Sequence, residues 1–158
     1  MAEETRSEIL DTGISELKSA RITIAAPASS IFEIIANPAL HPKIDGSNSV
    51  KSVIWGPGRL SLGAKFGMKM RIGIPYRITN HVVEFEEGKL IAWRHLGRWV
   101  WRYELESISP TETIVTESFD GRPSPFQWWL NKRNAYPFVE KAVAKTLVRL
   151  KRFAEERS

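Results

Sequence analysis

The C-terminal segment from Pro125 to Ser158 carries the longest helical pattern of this chain. After Pro137, apolar residues recur at steps of three and four, and lysines and arginines fall between them; the apolar positions are Val139, Ala142, Val143, Leu147, Leu150 and Ala154. A helix of about twenty residues is roughly 30 Å long, the width of a small domain. The pattern therefore predicts a long amphipathic helix that packs across a broad apolar surface.

Short extended segments supply that surface. Residues 20–26 alternate in polarity, and glycine and proline turn signals separate further segments at 50–55, 64–73, 76–86, 90–96, 98–108 and 113–119. The residues around 28–35 and 40–48 predict two short helices after the first strand. Because short connections favour antiparallel neighbours, we expect an α+β fold in which a curved, seven-stranded antiparallel sheet receives the long helix on its concave face.

The composition is that of a globular protein, with 42% hydrophobic and 26% charged residues. The chain has no cysteine, which excludes disulfides and thiolate chemistry. It contains no apolar run long enough to cross a bilayer and no signal peptide pattern, so we expect a cytoplasmic location. Residues 1–18 are polar and predict a loose lead-in that can be disordered, whereas residues 19–158 predict a single domain.

The net charge of +5 makes attraction to phosphate or to an anionic membrane surface conceivable. The basic residues cluster only along the last helix, where they are expected to form its solvated face, so we expect no nucleic-acid partner. An apolar cluster of Phe126, Trp128 and Trp129 could cover a cavity or form a homodimer contact.

Several motifs resemble one superfamily. They are IxIxAP at 22–27 before a short helix, HPKIDGS at 41–47, WVWRYELE at 99–106, TIVTESFD at 113–120 and the closing helix. Over about residues 20–155 the chain resembles the helix-grip or SRPBCC superfamily, which includes START-like and polyketide cyclase/dehydrase proteins, and the loop from His41 to Ser47 is similar to actinobacterial members of the latter. The resemblance implies a seven-stranded sheet that grips the last helix around a cavity for an apolar or aromatic small molecule, and it implies no fixed catalytic set.

Large side chains on one face of the predicted strands are candidates for the cavity wall. Trp99, Trp101 and Tyr103 share a face of one strand, and Met68 and Met70 share a phase in another. These residues could instead fill an ordinary core. The full set of candidate ligand-binding residues is Trp55, Met68, Met70, Trp93, Trp99, Trp101, Tyr103, Glu117, Phe119, Val139 and Val143.

Glu117 is the strongest candidate for chemistry. Pairing Leu105 with Val115 would turn its carboxyl group towards the aromatic face, where burial would raise its pKa. It could then hold a polar group of a ligand or act as a general acid or base, although an ion pair with an arginine or lysine is an alternative.

His41 and Asp45 are a second candidate pair for proton transfer. Both are also ordinary turn formers, because His41 precedes a proline and Asp45 precedes a glycine. The three histidines show no metal-ligand spacing, so we expect neither a metal nor a cofactor.

The position of Pro137 leaves two alternatives. It either bends a longer helix or lies in the first turn of the last helix, with residues 125–136 forming a separate short helix or loop. The leading functional hypothesis is binding or transport of a small hydrophobic, aromatic or lipid-like ligand. The alternative is an aromatase/cyclase or dehydratase that acts on a polyketide-like substrate through Glu117 or through His41 and Asp45.

Overall fold

The computed structural model of the chain describes residues 6–157. Eight strands form one sheet: β1 (Glu8–Leu10), β2 (Leu17–Ile24), β3 (Val50–Trp55), β4 (Lys65–Ile72), β5 (Ile74–Glu86), β6 (Leu90–Arg94), β7 (Val100–Ser109) and β8 (Glu112–Asp120). Four helices accompany them: α1 (Ala28–Ile35), α2 (His41–Ile44), α3 (Gln127–Lys132) and α4 (Ala135–Arg157). A single 3-10 turn, Pro38–Leu40, connects α1 to α2.

The sheet is antiparallel throughout and has the order β1-β2-β8-β7-β6-β5-β4-β3. The α+β fold is confirmed, but the sheet has eight strands rather than the expected seven. The additional strand is β1, which lies in the segment expected to be a loose lead-in and pairs with β2 through Ile9 and Ala20. Beside it, the Ser7 hydroxyl donates a hydrogen bond of 2.8 Å to the Ala144 carbonyl of α4. The part of the predicted lead-in before residue 6 lies outside the described residues.

The helical layout also differs in detail from the expectation. The two short helices follow the second strand rather than the first, and the 3-10 turn separates them. Pro137 is the third residue of α4, and α3 is a separate helix before it. Since the first-turn amides of a helix have no partner within the helix, a proline is tolerated there without a bend.

The predicted apolar stripe of α4 is buried. Leu147 and Leu150 are fully buried, and α4 packs mainly against β2. Burial of each such side chain stabilises the fold by about 1.5–3 kcal/mol. No helix among residues 6–157 is long and apolar enough to cross a membrane.

The loop between α2 and β3 is fixed to α4. The Gly46 amide donates to Thr146 Oγ1 at 2.9 Å, and Arg149 donates to the Asp45 carbonyl at 2.6 Å. A Cβ atom on Gly46 would lie 2.5 Å from the Lys145 Cβ atom and from the Thr146 amide nitrogen. Glycine is therefore required here for close approach of the loop to the helix.

Candidate functional site

A cavity of about 110 Å³ lies between the concave face of the sheet and α4. Its wall is drawn from α2, the following loop, strands β3 to β8 and α4: His41, Ile44, Asp45, Ser47, Ser49, Val50, Met68, Met70, Ile78, Asn80, Trp93, Trp101, Tyr103, Glu117, Ala142 and Thr146. An engineered apolar cavity of about 150 Å³ binds benzene, and pockets for drug-sized ligands occupy about 300–1,000 Å³. The cavity is thus on the scale of one small ring, and a longer ligand would have to extend out of it.

The cavity reaches the surface at one end of the sheet. Its partly exposed wall residues include Asp45 and Ser47 of the α2–β3 loop, Val50 at the start of β3, and Ile78 near the start of β5. These residues lie where β3 and β5 begin, so the opening lies beside those strands. We call this end of the sheet the mouth end.

Eight of the residues predicted from the sequence meet at this cavity. They are the candidate ligand-binding residues Met68, Met70, Trp93, Trp101, Tyr103 and Glu117, together with His41 and Asp45. The predicted pairing of Leu105 with Val115 is present in the β7–β8 ladder, and it places Glu117 opposite Tyr103.

Five other candidates lie away from the cavity wall. Phe119, Val139 and Val143 are buried core residues, and Phe119 contacts the Trp101 ring edge to face at 4.8 Å. Trp99 is half-buried and stacks on Trp129 of α3, with 6.0 Å between the ring centroids.

Trp55 is the fifth of these residues. Its side chain is 49% exposed and lines a different groove, which it shares with Ile54, Arg77 and Leu96. Register shifts on both sides of the pairs formed by Ser52 and Val53 disturb the β3–β4 ladder. Because a bulge changes the face on which the following side chains lie, simple alternation along β3 does not predict the position of Trp55.

Glu117 is the buried carboxyl group of the cavity. Its side chain is 3% exposed, and the Oε2 atom is buried without a hydrogen-bond partner among the described residues. Burial raises the pKa of Glu117 well above its usual value; the Tyr103 hydroxyl opposes this shift by hydrogen bonding, and the negative charge of Asp45 adds to it. Among the described residues Glu117 forms no salt bridge, so the ion pair considered as an alternative is not present. Burial therefore favours the neutral, protonated form of Glu117, which can donate a hydrogen bond.

His41 is also buried, and its contacts determine its tautomer. Nε2 lies 2.8 Å from the Ile35 carbonyl oxygen, which can only accept, so Nε2 carries the proton and Nδ1 is the acceptor. The ring stacks on Trp93 with centroids 4.9 Å apart and meets Phe66 edge to face. Burial lowers the pKa of His41 to about 4, against the smaller opposing effects of the Ile35 carbonyl and Asp45. The imidazole is neutral at pH 7.

Asp45 organises the loop at the cavity mouth. Its Oδ1 accepts from the amide and hydroxyl of Ser47 at 3.0 and 2.6 Å, and its Oδ2 accepts from the amides of Ser49 and Val50, each at 2.9 Å. No hydrogen bond joins Asp45 to His41 in the described part of the chain. These contacts account for both residues structurally, and the two side chains do not form a hydrogen-bonded proton-transfer pair.

Asn80 is a wall residue that the sequence analysis did not identify. Its side chain is 5% exposed and lines the cavity. Asn80 lies two residues from Ile78 and from Val82 on β5, so alternation places it on the inward face with them. A polar residue at such a position could have identified it as a wall residue from the sequence. Asn80 and Glu117 therefore provide both donors and an acceptor inside a largely apolar cavity.

Comparison with known proteins identifies the family. Residues 18–155 match the sequence model of the family described as "Polyketide cyclase / dehydrase and lipid transport". An uncharacterized protein of Mycobacterium tuberculosis, Rv0088, is 42% identical over 113 residues, which are 71% of this chain and 50% of that protein. The chain thus spans about half the length of this curated relative.

Solved structures show the same fold at low sequence identity. Protein Ms6760 from Mycobacterium smegmatis has a TM-score of 0.70 at 14% identity and covers 98% of this chain and 100% of its own. The Polyketide_cyc-like protein Cgl2372 from Corynebacterium glutamicum has a TM-score of 0.58 at 19% identity and covers 89% of this chain and 92% of its own. The resemblance read from the sequence motifs is confirmed, and the chain belongs to the polyketide cyclase/dehydrase and lipid transport family.

Proposed function

We propose that the protein binds a small, mainly apolar molecule that carries a hydrogen-bond acceptor, such as a carbonyl oxygen, in the cavity between the sheet and α4. The observation that carries this proposal is the buried Oε2 atom of Glu117, which has no hydrogen-bond partner among the described residues. Leaving a buried polar atom unpaired costs about 1–3 kcal/mol. A ligand oxygen that accepts a hydrogen bond from the neutral carboxyl group would remove this cost.

The rest of the wall suits an apolar ring. Trp93 and Trp101 contribute aromatic rings to the wall, and Met68 and Met70 have flexible thioether side chains that can adapt to different outlines. Asn80 adds an amide that can donate or accept near the ligand. This arrangement, an apolar enclosure with a few polar groups, is typical of small-molecule sites.

Two ligands of nearly equal outline test the proposal. Acetophenone carries a carbonyl oxygen, and α-methylstyrene has a CH₂ group in its place. We expect both to perturb the NMR signals of the cavity residues and acetophenone to bind about five- to tenfold more tightly, as one added hydrogen bond would give. Equal affinities would contradict the role of Glu117, and no binding of either compound would contradict the cavity as the site.

Variants of Glu117 separate the hydrogen bond from the volume of the side chain. Glu117→Gln retains a donor and should keep the preference for acetophenone. Glu117→Leu removes the donor and should abolish that preference while α-methylstyrene still binds. If Glu117→Leu still prefers acetophenone, another group, such as Asn80, is responsible for the preference.

The second candidate function is catalysis, in which Glu117 acts as a general acid in a cyclisation or dehydration of a polyketide-like substrate. Its raised pKa favours this role, because a carboxylic acid that remains protonated near neutral pH can transfer a proton to a substrate oxygen. Under this alternative, Glu117→Gln should abolish turnover and leave ligand affinity nearly unchanged. Turnover that persists in Glu117→Gln would exclude Glu117 as the acid.

A further inference from the structure

The mouth end of the sheet carries a projecting hairpin. At this end β6 stops at Arg94, which pairs with His81 of β5, whereas β5 begins at Ile74. The segment from Ile74 to His81 therefore continues past β6 together with β4. Gly73, with a φ of 72°, forms the tight turn between the two strands.

Large apolar side chains are exposed on this hairpin and beside it. Ile72 and Ile74 at its tip are 60% and 76% exposed, and Leu96 of the β6–β7 loop is 93% exposed. Trp128 and Trp129 of α3 are 66% and 39% exposed. We refer to these five residues as the mouth surface.

Contacts connect the parts of the mouth surface. Arg77 of the hairpin and the loop residues His95 and Leu96 line the same groove. The His95 ring packs edge to face on Trp99 at 4.6 Å, and Trp99 stacks on Trp129 with an angle of 4° between the planes. These contacts connect the base of the hairpin at Arg77 to the β6–β7 loop and that loop to α3, and the hairpin also carries the cavity residues Met70 and Ile78.

The segments that form the mouth surface carry positive charge, and the acidic groups near them, Asp45 and Glu16, lie on other segments. The sequence contains no aspartate or glutamate in 65–83, 88–103 or 121–139, the three segments that form it. Asp120, at the end of β8, is paired with Arg122 at 2.9 Å. The exposed basic residues of these segments include Lys69, Arg71, Arg77, Arg98, Lys132 and Arg133.

We propose that the mouth surface docks the protein onto a membrane that contains anionic phospholipids. Exposed isoleucine, leucine and tryptophan side chains flanked by basic residues suit the boundary between acyl chains and headgroups, and anionic headgroups complement the positive charge. A symmetric dimer through the same surface would bring like charges together. Docking would place the cavity opening at the lipid surface.

Vesicle flotation tests the proposal without any cavity ligand, so its outcome is independent of the proposed ligand binding. The probes are vesicles of phosphatidylcholine alone and of phosphatidylcholine mixed with phosphatidylglycerol. We expect the full chain to float with the mixed vesicles at low salt, to float weakly with phosphatidylcholine alone, and to lose binding as salt is raised. The double substitution Ile72→Ser with Ile74→Ser should reduce partitioning into the mixed vesicles by about tenfold or more.

A matched control is Leu62→Ser with Ile108→Ser, which removes two similarly exposed apolar side chains at the opposite end of the sheet, 65% and 51% exposed respectively. The control pair should partition as the unsubstituted protein does. The proposal is overturned if the unsubstituted chain does not float with the mixed vesicles, or if both pairs lose binding equally. If the protein forms a dimer in solution and only the double substitution of Ile72 and Ile74 dissociates it, the mouth surface instead binds a second copy of the chain.

Discussion

Glu117 and Tyr103 face each other across the β7–β8 ladder, and both side chains are buried in the wall of one cavity. Burial raises the pKa of both groups. The charge of the Glu117 carboxyl group and its hydrogen bond with Tyr103 raise the pKa of Tyr103 further, whereas the same hydrogen bond lowers the pKa of Glu117. Burial therefore favours the uncharged form of both groups. Two neutral hydroxyl-bearing groups in an apolar enclosure form the basis of the proposed ligand site.

The raised pKa of Glu117 predicts a specific dependence of stability on pH. The folded state retains the proton at pH values where the unfolded carboxyl group has lost it, so the stabilisation is complete below about pH 4.5 and is lost as the pH rises through the folded pKa. Glu117→Gln removes this loss. We expect the free energy of unfolding of the variant to rise relative to the unsubstituted protein by up to about 1.4 kcal/mol per pH unit above that value. Urea unfolding at several pH values from about 5 to 8 measures the difference, and curves that stay parallel would show an ordinary pKa for Glu117.

The lowered pKa of His41 predicts a pH dependence of stability with the opposite sign. Its folded pKa of about 4 lies below the ordinary value of 6.5, so the unfolded state binds more protons between these two values and stability falls as the pH falls through this range. The shift corresponds to about 3 kcal/mol. In NMR spectra of the ring nitrogens we expect the Nε2-protonated neutral tautomer from pH 7 down to about pH 5. A ring that titrates near pH 6.5 would contradict the burial and the Ile35 contact described above.

Gly46 predicts a steric requirement at the cavity mouth. A methyl group at this position would contact α4 backbone and Lys145 Cβ at 2.5 Å, so Gly46→Ala should lower the free energy of unfolding by about 1–3 kcal/mol. Gly58→Ala is the matched control, because a Cβ atom there would meet nothing within 4 Å. Chemical denaturation compares the two. Equal effects would mean that the loop can move away from α4 at little cost.

Substitution of Asp45 is expected to lower the stability of the protein and to leave the tautomer of His41 unchanged. Asp45→Ala removes four hydrogen bonds to the residues of its own loop and should destabilise the protein by about 2–4 kcal/mol. Because His41 is held by Ile35 rather than by Asp45, the tautomer of His41 should be unchanged in the variant. A change of tautomer in the NMR spectrum would restore Asp45 as a partner of His41.

Local periodicity was sufficient to predict the long helix and the inward side of β8. Glu117 lies two residues from Val115 and from Phe119, and alternation along an extended strand places all three on one face. The same alternation along β7 puts Trp101 and Tyr103 at the cavity, whereas Trp99, before the start of the strand, lies away from it. Strand β1 was not predicted, because three residues are too few to show a period and because its place in the sheet depends on pairing with β2.

Other features depend on distant parts of the chain. The role of Asp45 was open in the sequence because a turn former and a proton carrier have the same local pattern, and only its four contacts distinguish them. Val139 and Val143 lie on the buried stripe of α4, yet Ala142 and Thr146, on an adjacent line of the same helix, reach the cavity. The rotation of the helix about its axis decides this, and hydrophobic periodicity leaves it undetermined within one residue.

The most direct measurement is isotope-edited infrared spectroscopy of the glutamate carboxyl groups at pH 7, with Glu117→Gln as the reference. We expect a band of a protonated carboxylic acid that is absent from the variant and shifts when acetophenone is added. A spectrum that contains only ionised carboxylates, or a protonated band that acetophenone leaves unchanged, would contradict a neutral Glu117 that contacts the ligand.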